Sequence, residues 1–268
     1  MPQREQNSNK GTFGKVLNIA GSKNYIGAAY LSSLAAYNVG AGYVVLATTK
    51  EVIASVSKLL PEAVFIERKN TFNSIEKYTV VLAGCGLGMS LNSETLLKKC
   101  IKQSFLHNLP LIIDADGLNI LSELNIKKLN LPQNLVITPH PLEAARLLGV
   151  NSNEILDDLT GSAKKLSEKY SCVTVLKTHR TIICSKNGEL YINEHGNSAL
   201  AKAGTGDVLA GIIAGLLAQR MDLFEAAKLG VYLHSRAGEI ASEELTEYSV
   251  LASDIPKCMP KAIKEILN

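Results

Sequence analysis

The sequence predicts an α/β fold with a mainly parallel central sheet and helices on both faces. Short apolar segments rich in β-branched residues alternate with helical segments over most of the 268 residues, and this alternation is typical of parallel sheets covered by helices. Hydrophobic residues make up 46% of the chain and charged residues 20%, which excludes an intrinsically disordered protein. Since no segment resembles an interdomain linker, we expect a single domain over residues 1–268, with a flexible arm at 1–10.

Local hydrophobic patterns predict the individual elements. Strands are expected at 15–21, 42–48, 78–88 (which runs on into a glycine-rich loop), 111–119 and 172–178. The segment 134–149 is typical of a strand, a proline-bounded turn and a helix. An Asn-Gly pair between two apolar runs predicts a β-hairpin over 181–193. Further helices are expected at 25–38, 51–60, 93–107, 156–170, 207–219, 223–245 and 255–267.

The charge, the cysteines and the N-terminus exclude several classes of protein. A net charge of +3 is too small to indicate a nucleic-acid or membrane partner. The five cysteines form no CxxC pair, which argues against a zinc site or a disulfide framework and favours a reducing compartment. The N-terminus is polar and lacks the apolar core of a signal peptide. We therefore expect a cytoplasmic protein.

Three common enzyme motifs are missing from the sequence. There is no GxxxxGK[ST], which excludes a P-loop enzyme, and no GxSxG or HExxH, which excludes the usual serine hydrolases and zinc proteases. The stretch GCGLGM at 84–89 lacks the third glycine of the dinucleotide-binding fingerprint.

Glycine and polar clusters follow the predicted strands, at the end where open parallel sheets bind ligands. These clusters are 21–22, 84–88, 114–117, 138–143 and 177–181. Asp114 and Asp116 follow a buried strand and either hold Mg²⁺ through water or, for Asp116, cap the next helix. Lys177, near Arg180, either holds a phosphate, lines a nucleotide pocket or is a solvated lysine at a strand end.

His140 lies between Pro139 and Pro141, with Glu143 close behind. The prolines restrict the backbone, and the turn opens a helix. His140 and Glu143 either hold a substrate amide or hydroxyl, or belong to a structural turn.

The segment from Gly204 to Asp207 leads directly into an apolar helix. Glycines allow successive N–H groups to point into one concavity, and a helix N-terminus adds positive potential, so Gly204, Thr205 and Gly206 suit a phosphate. A carboxylate beside an anion site repels the anion, unless it acts as a base on a nucleophile that attacks the phosphate. Asp207 is therefore either a catalytic base or an N-cap.

Five segments occur in a fixed order: GSKNYIGAA from 21, GCGLG from 84, DADGLN from 114, ITPHPLE from 137 and GNSALAKAGTGDVLAG from 196. Together they resemble the ADP/ATP-dependent NAD(P)H-hydrate dehydratases, which belong to the ribokinase-like superfamily. The resemblance extends from about Lys10 to the last predicted helix. The GTGD element alone would indicate only the superfamily.

This resemblance implies a repair enzyme that removes water from hydrated NADH or NADPH, coupled to hydrolysis of ADP (or ATP), with Mg²⁺. Asp207 would activate the ring hydroxyl, which attacks the terminal phosphate of ADP to give AMP. The phosphorylated intermediate would then lose phosphate, and the amides of Gly204, Thr205 and Gly206 would form the anion hole.

Site residues carry over by position, and none of them is a metal ligand. Thr178 stands where the family often has glycine, which is expected to change the backbone of the nucleotide loop. The hydrated dinucleotide would contact Ala28, Gly88, His140 and Asp207. The nucleotide would contact Lys177, Thr178, His179, Arg180, Thr181 and Gly206.

The resemblance also bears on partners and alternatives. Many relatives carry an N-terminal epimerase domain for which this chain has no room, so we expect a separate epimerase. Relatives also often form tetramers, so we expect a homo-oligomer.

One alternative is a ribokinase-like kinase acting on a vitamin-precursor alcohol, and another is a nucleotide-sensing module without activity. An intact Asp207 argues against the second alternative.

Overall fold

The computed structural model describes residues 1–268 and contains nine strands and ten α-helices. The strands are β1 (Lys15–Ile19), β2 (Tyr43–Thr48), β3 (Val64–Glu67), β4 (Val80–Ala83), β5 (Leu111–Ile113), β6 (Leu135–Ile137), β7 (Val173–Leu176), β8 (Ile182–Cys184) and β9 (Leu190–Ile192). The helices are α1 (Ile26–Asn38), α2 (Lys50–Val56), α3 (Leu91–Leu106), α4 (Asp116–Glu123), α5 (Pro141–Leu148), α6 (Ser152–Asp157), α7 (Leu159–Tyr170), α8 (Thr205–Ala218), α9 (Leu223–Leu245) and α10 (Ile255–Leu267).

All nine strands form one sheet in the order β3-β2-β1-β4-β5-β6-β7-β8-β9. The pairs from β3 to β7 are parallel, whereas β7–β8 and β8–β9 are antiparallel, which confirms the mainly parallel sheet and the predicted hairpin. The strand order reverses between β1 and β4. In open sheets of this kind, ligands bind beyond the carboxyl ends of the strands, near such a reversal.

The sheet separates two hydrophobic layers, as expected for helices on both faces. In β1, Val16 packs into the layer formed with α1, α2, α8, α9 and α10, while Leu17 and Ile19 face the layer formed with α3 to α7. Helix α8 packs directly on α1. The two backbones are so close that a Cβ atom on Gly211 would collide with the carbonyl oxygen of Ser32. This close packing fixes the position of the α8 N-terminus.

Some predicted boundaries are wrong, for local reasons. The helix expected at 156–170 is two helices, because Asp158 leaves the helical conformation (φ −142°) and its carboxylate accepts the Gly161 N–H at 2.8 Å. The strand expected at 111–119 ends at Ile113, and Asp116 already belongs to α4. Strand β3 was not predicted; it is a short edge strand without fully buried residues.

The first ten residues contain no regular secondary structure but contact the rest of the chain. Met1 packs against the layer formed with α1 and α8, and the Arg4 guanidinium lies 3.7 Å from the centre of the Phe13 ring. None of the helices combines the length and the apolar character that crossing a bilayer requires.

Candidate active site

Polar side chains that follow four neighbouring strands meet at the carboxyl edge of the sheet. Asp114 follows β5 and is only 1% exposed. Its Oδ1 accepts a hydrogen bond from Lys177 Nζ, beyond β7, and another from Thr138 Oγ1, beyond β6, both at 2.7 Å. The thiol of Cys85, beyond β4, lies 3.8 Å from Asp114 Oδ2. The sequence predicted Asp114 and Lys177 as separate candidates, and the structure joins them in one buried ion pair.

The backbone around Asp114 is unusually constrained. Ala115 has a φ of +49° and a ψ of −120°, a conformation that residues with a Cβ atom seldom adopt. At Gly84 a side chain is impossible, because a Cβ atom would collide with the Asp114 carbonyl oxygen. Asp116 Oδ2 accepts the Gly88 N–H at 2.7 Å. Asp116 therefore ties the β4–α3 loop to the start of α4.

These contacts do not fit a magnesium ion held by Asp114 and Asp116. Asp114 Oδ1 is engaged by an ammonium and a hydroxyl group, and Asp116 is engaged by a backbone amide. Ligand atoms of Cys85, Asp114 and Asp207 lie within 4.8 Å of one another, but Mg²⁺ prefers oxygen ligands in an octahedral arrangement. A thiol and an already paired carboxylate are poor ligands for that ion.

The N-terminus of α8 begins with a tight glycine turn. Gly204 is the N-cap residue with φ +92°, and a Cβ atom there would lie 2.7 Å from Leu31 Cδ1. Thr205 Oγ1 donates to the carbonyl oxygens of Leu200 and Lys202, both at 2.9 Å, which fixes the preceding turn. The Thr205 N–H donates to the Lys202 carbonyl oxygen at 3.4 Å. The next amides, of Gly206 and Asp207, have no partner within the helix, so they are available to an anion.

Asp207 is not the N-cap of α8, because Gly204 occupies that position and no side chain caps the helix. The Asp207 carboxyl lies in the first turn, and its pKa is raised to about 7. Burial is the main cause, the charge of Asp114 adds to it, and Lys177 and the Cys85 thiol act in the opposite direction. A base whose pKa lies near neutrality suits proton transfer at physiological pH.

A cleft of about 590 Å³ opens in front of the α8 N-terminus. Gly206 lies beside the Lys177 ammonium, since a Cβ atom on Gly206 would be 3.3 Å from Nζ. Arg180 is exposed and does not line the cleft. The candidate residues that line it are His140, Lys177, Thr178, His179, Thr181, Thr205 and Gly206.

Thr178 causes no backbone strain, because it is not among the residues with a positive φ. Its hydroxyl donates to the Arg180 carbonyl oxygen at 2.7 Å, and Thr181 Oγ1 donates back to the Thr178 carbonyl oxygen at 3.2 Å. The loop after β7 is therefore closed by its own hydroxyl groups.

Ala28 and Gly88 lie outside this cleft. Ala28, in the first turn of α1, is adjacent to the β4–α3 loop. It is so close to Gly86 of this loop that a Cβ atom on Gly86 would lie 2.9 Å from the Ala28 Cβ. Gly88 belongs to the same loop and has a φ of +81°. These two candidates are thus close to the same loop, while the nucleotide candidates other than Arg180 line the cleft.

His140 caps helix α5. Its Nδ1 accepts the N–H groups of Leu142 and Glu143 at 3.2 and 3.3 Å, and Glu143 Oε2 accepts the His140 N–H at 2.8 Å. The Glu143 Oε1 atom lies 3.2 Å from His140 Nε2, so both ring nitrogens have partners within the turn. Burial lowers the pKa of His140 and raises that of Glu143 to about 7.

We expect His140→Ala to lower the Tm, because the loss of an N-cap typically costs about 0.5–2 kcal/mol. His140→Asn restores a capping oxygen and should recover most of the Tm in a melting curve. If His140 also contacts the hydrated dinucleotide, both variants should raise its KM about three- to twelvefold and leave the KM for ADP unchanged. A normal Tm in the alanine variant would contradict the capping role.

Sequence reasoning missed two residues of the site. Cys85 was noted only as one scattered cysteine, although it lies beside Asp114. His234, in the middle of α9, lines the cleft and is 7% exposed, and burial lowers its pKa to about 4. Cys85 lies within the glycine cluster 84–88, which marked the loop but not the thiol, whereas no neighbour of His234 in the sequence indicates chemistry.

Comparison with known sequences agrees with this geometry. The family model of NAD(P)H-hydrate dehydratase matches residues 16–261. A bifunctional NAD(P)H-hydrate repair enzyme of Coxiella burnetii is 38% identical over 258 residues, which are 95% of this chain and 51% of that protein. The chain thus spans about half the length of that relative. An ADP-dependent (S)-NAD(P)H-hydrate dehydratase of Neisseria meningitidis is 36% identical over 244 residues, covering 90% of this chain and 81% of that protein.

Solved structures give the same result. The ADP/ATP-dependent NAD(P)H-hydrate dehydratase of Bacillus subtilis, co-crystallised with ATP and Mg²⁺, has a TM-score of 0.89 and 33% identity, covering 99% of this chain and 94% of that chain. A ribokinase-like superfamily protein of Enterococcus faecalis has a TM-score of 0.88 and 33% identity, covering 98% of this chain and 91% of that chain. The chain therefore has the ribokinase-like fold and belongs to the NAD(P)H-hydrate dehydratase family.

Proposed function

We propose that this protein restores NAD(P)H from its hydrate and couples the loss of water to the hydrolysis of ADP to AMP and phosphate. The observation that carries the proposal is the position of Asp207, a carboxyl group with a pKa of about 7. It lies in the first turn of α8, directly after Thr205 and Gly206, which line a cleft large enough for a nucleotide, although Asp207 itself does not line that cleft.

The proposed chemistry is the one that the family resemblance implies, with these groups in the following roles. The Asp207 carboxylate takes the proton of the ring hydroxyl, whose oxygen attacks the terminal phosphorus of ADP. The bond to the bridging oxygen breaks, and AMP leaves with the electron pair. The ring carbon–oxygen bond then breaks, phosphate leaves with that pair, and loss of a proton from the adjacent carbon restores the double bond. The free amides at the α8 N-terminus stabilise the negative charge on the transferring group.

Several finer points belong to this proposal and rest on the family. We assign ADP as the preferred nucleotide, since the Neisseria meningitidis relative is ADP-dependent. Because the acidic residues fit Mg²⁺ poorly, we assign the ion to the phosphates of the bound nucleotide, and no step depends on it. The five free, buried cysteines accord with a reducing cytoplasm. A separate epimerase and a homotetramer rest on the resemblance alone.

A turnover assay tests the proposal directly. Purified protein is incubated with hydrated NADH or NADPH and with ADP or ATP, and the return of the reduced-nicotinamide absorbance is followed together with the release of AMP or ADP. We expect absorbance to return in proportion to the nucleotide consumed, with ADP faster than ATP. Nucleotide consumption with a vitamin-precursor alcohol, and none with the hydrates, would favour the ribokinase-like kinase instead.

We expect Gly206→Val to weaken ADP binding. A valine side chain would extend towards Lys177 Nζ, which lies 3.3 Å from the position of a Cβ atom on Gly206. Overpacking typically costs about 1–3 kcal/mol, which corresponds to a loss of about five- to 150-fold in affinity. Isothermal titration calorimetry with ADP measures the effect, and Gly206→Ala, with a smaller side chain, should lose less. Equal affinity in all three proteins would show that the phosphates bind elsewhere.

A further inference from the structure

Arg68 is a charged residue at the carboxyl edge of the sheet that the proposed reaction does not use. It follows the edge strand β3 and begins a short 3₁₀ turn, Arg68–Asn70. Its side chain is half-buried, and burial lowers the pKa of its guanidinium with no carboxylate acting in the opposite direction. Withdrawing an unpaired cation from water costs free energy, so stability alone does not account for this side chain.

The guanidinium joins two loops at this edge of the sheet. Its Nη2 atom donates to the carbonyl oxygen of Gly21, in the β1–α1 loop, and at 3.3 Å to that of Leu87, in the β4–α3 loop. The Gly21 N–H donates to the Cys85 carbonyl oxygen at 2.8 Å, which also joins the two loops. Gly21 is therefore held through both of its backbone polar groups, and Arg68 supplies one of these contacts.

The joined loops lead to the two residues assigned to the hydrated dinucleotide. Gly88 directly follows Leu87 in the β4–α3 loop. Ala28, in the first turn after the β1–α1 loop, is close to Gly86, where a Cβ atom would lie 2.9 Å from the Ala28 Cβ. Arg68 does not line the nucleotide cleft. Its contacts therefore reach the dinucleotide side of the site and not the nucleotide side.

We propose that Arg68 is a positioning residue for the hydrated dinucleotide, whose guanidinium holds the β1–α1 and β4–α3 loops in the arrangement that the substrate needs. The inference rests on the proposed function and on the assignment of Ala28 and Gly88 to the dinucleotide. Loops that are fixed before binding avoid the cost of becoming ordered when the substrate binds. Loss of the guanidinium should therefore weaken binding of the hydrate and leave ADP binding unchanged.

Hydrogen exchange tests the connection between the loops without requiring activity. Arg68→Met removes the donor at a similar side-chain length, whereas Arg68→Lys keeps one. NMR follows the amides of Gly21 and Gly88, and the Lys177 amide, which donates to the Pro139 carbonyl oxygen at 2.8 Å, serves as the internal control on the nucleotide side. In the methionine variant we expect the two glycine amides to exchange about three- to twelvefold faster and the Lys177 amide to be unchanged. The lysine variant should lie closer to wild type.

Binding and kinetic measurements test the consequence for the substrate. Calorimetry with hydrated NADH and with ADP gives the two affinities, and steady-state kinetics gives the two KM values. We expect Arg68→Met to weaken hydrate binding and to raise the KM for the hydrate about three- to twelvefold, with the values for ADP unchanged and with partial recovery in Arg68→Lys. Arg236→Met is the matched control. It removes an arginine of α9 whose Nε lies 2.7 Å from Glu265 of α10, so it should lower the Tm and leave both affinities unchanged.

The outcomes are distinct. Equal exchange in wild type and Arg68→Met, or acceleration of all three amides together, would overturn the connection between the loops. An unchanged hydrate affinity, or an equal loss for hydrate and ADP, would overturn the positioning role. If the wild-type protein binds the hydrates without turnover, the proposed function fails while the affinities still test Arg68, whereas a wild type that binds no hydrate overturns both. If Arg68→Met does not fold, Arg68→Gln, which is too short to reach both carbonyl groups, replaces it in each measurement.

Discussion

Asp207→Asn should abolish turnover while the protein still folds and binds ADP. The asparagine has nearly the same shape but cannot accept the proton of the ring hydroxyl. Loss of a positioned base typically reduces the rate by about 10²–10⁴. Steady-state kinetics with hydrated NADH and calorimetry with ADP measure the two effects. Turnover within a few-fold of wild type would show that the carboxylate does not act as the base.

The same substitution should change stability in a pH-dependent manner. The pKa of Asp207 is raised from 3.8 to about 7, so the folded protein holds this proton more tightly than the unfolded chain does. The resulting contribution to stability is present at low pH and is lost as the pH rises through about 7. Asp207→Asn avoids that loss, so its Tm should exceed that of wild type above pH 7 and match it near pH 4. Melting curves at both pH values test this.

Lys177→Met should have the largest effect on stability. The Lys177 ammonium lies 2.7 Å from Asp114, which is 1% exposed, and 3.8 Å from Glu143, which is 5% exposed. Methionine has a similar length but leaves both buried carboxylates without a cation. Breaking a buried ion pair in this way typically costs about 3–5 kcal/mol of unfolding free energy. Chemical denaturation measures the loss.

Two further variants identify the cause of that loss. Lys177→Arg keeps the charge and should retain most of the stability, and adding Asp114→Asn to Lys177→Met removes one of the unpaired carboxylates and should recover part of it. Lys177 lowers the pKa of Glu143, so without the cation that pKa should rise further and Lys177→Met should gain stability as the pH falls. A stable Lys177→Met protein at neutral pH would show that the ion pair contributes little.

The candidate site was only partly accessible from the sequence. Asp207, Gly204 and Gly206 could be recognised as candidates because they are nearly consecutive residues at one helix N-terminus. The pairing of Asp114 with Lys177 could not be recognised, because 63 residues separate them and they meet only through the order of the strands. His140 left two alternatives open in the sequence, and the structure shows that its ring caps α5.

Local sequence patterns predicted the alternation of strands and helices, the hairpin and the glycine turn at the start of α8. Each of these is encoded by hydrophobic period or turn chemistry within a few consecutive residues. Only the folded arrangement shows which strand ends meet, the raised pKa of Asp207, the position of Cys85 beside Asp114 and the poor fit to a protein-held magnesium ion. These properties depend on distances and burial across the sheet, which arise only when the strands are ordered and the helices pack on them.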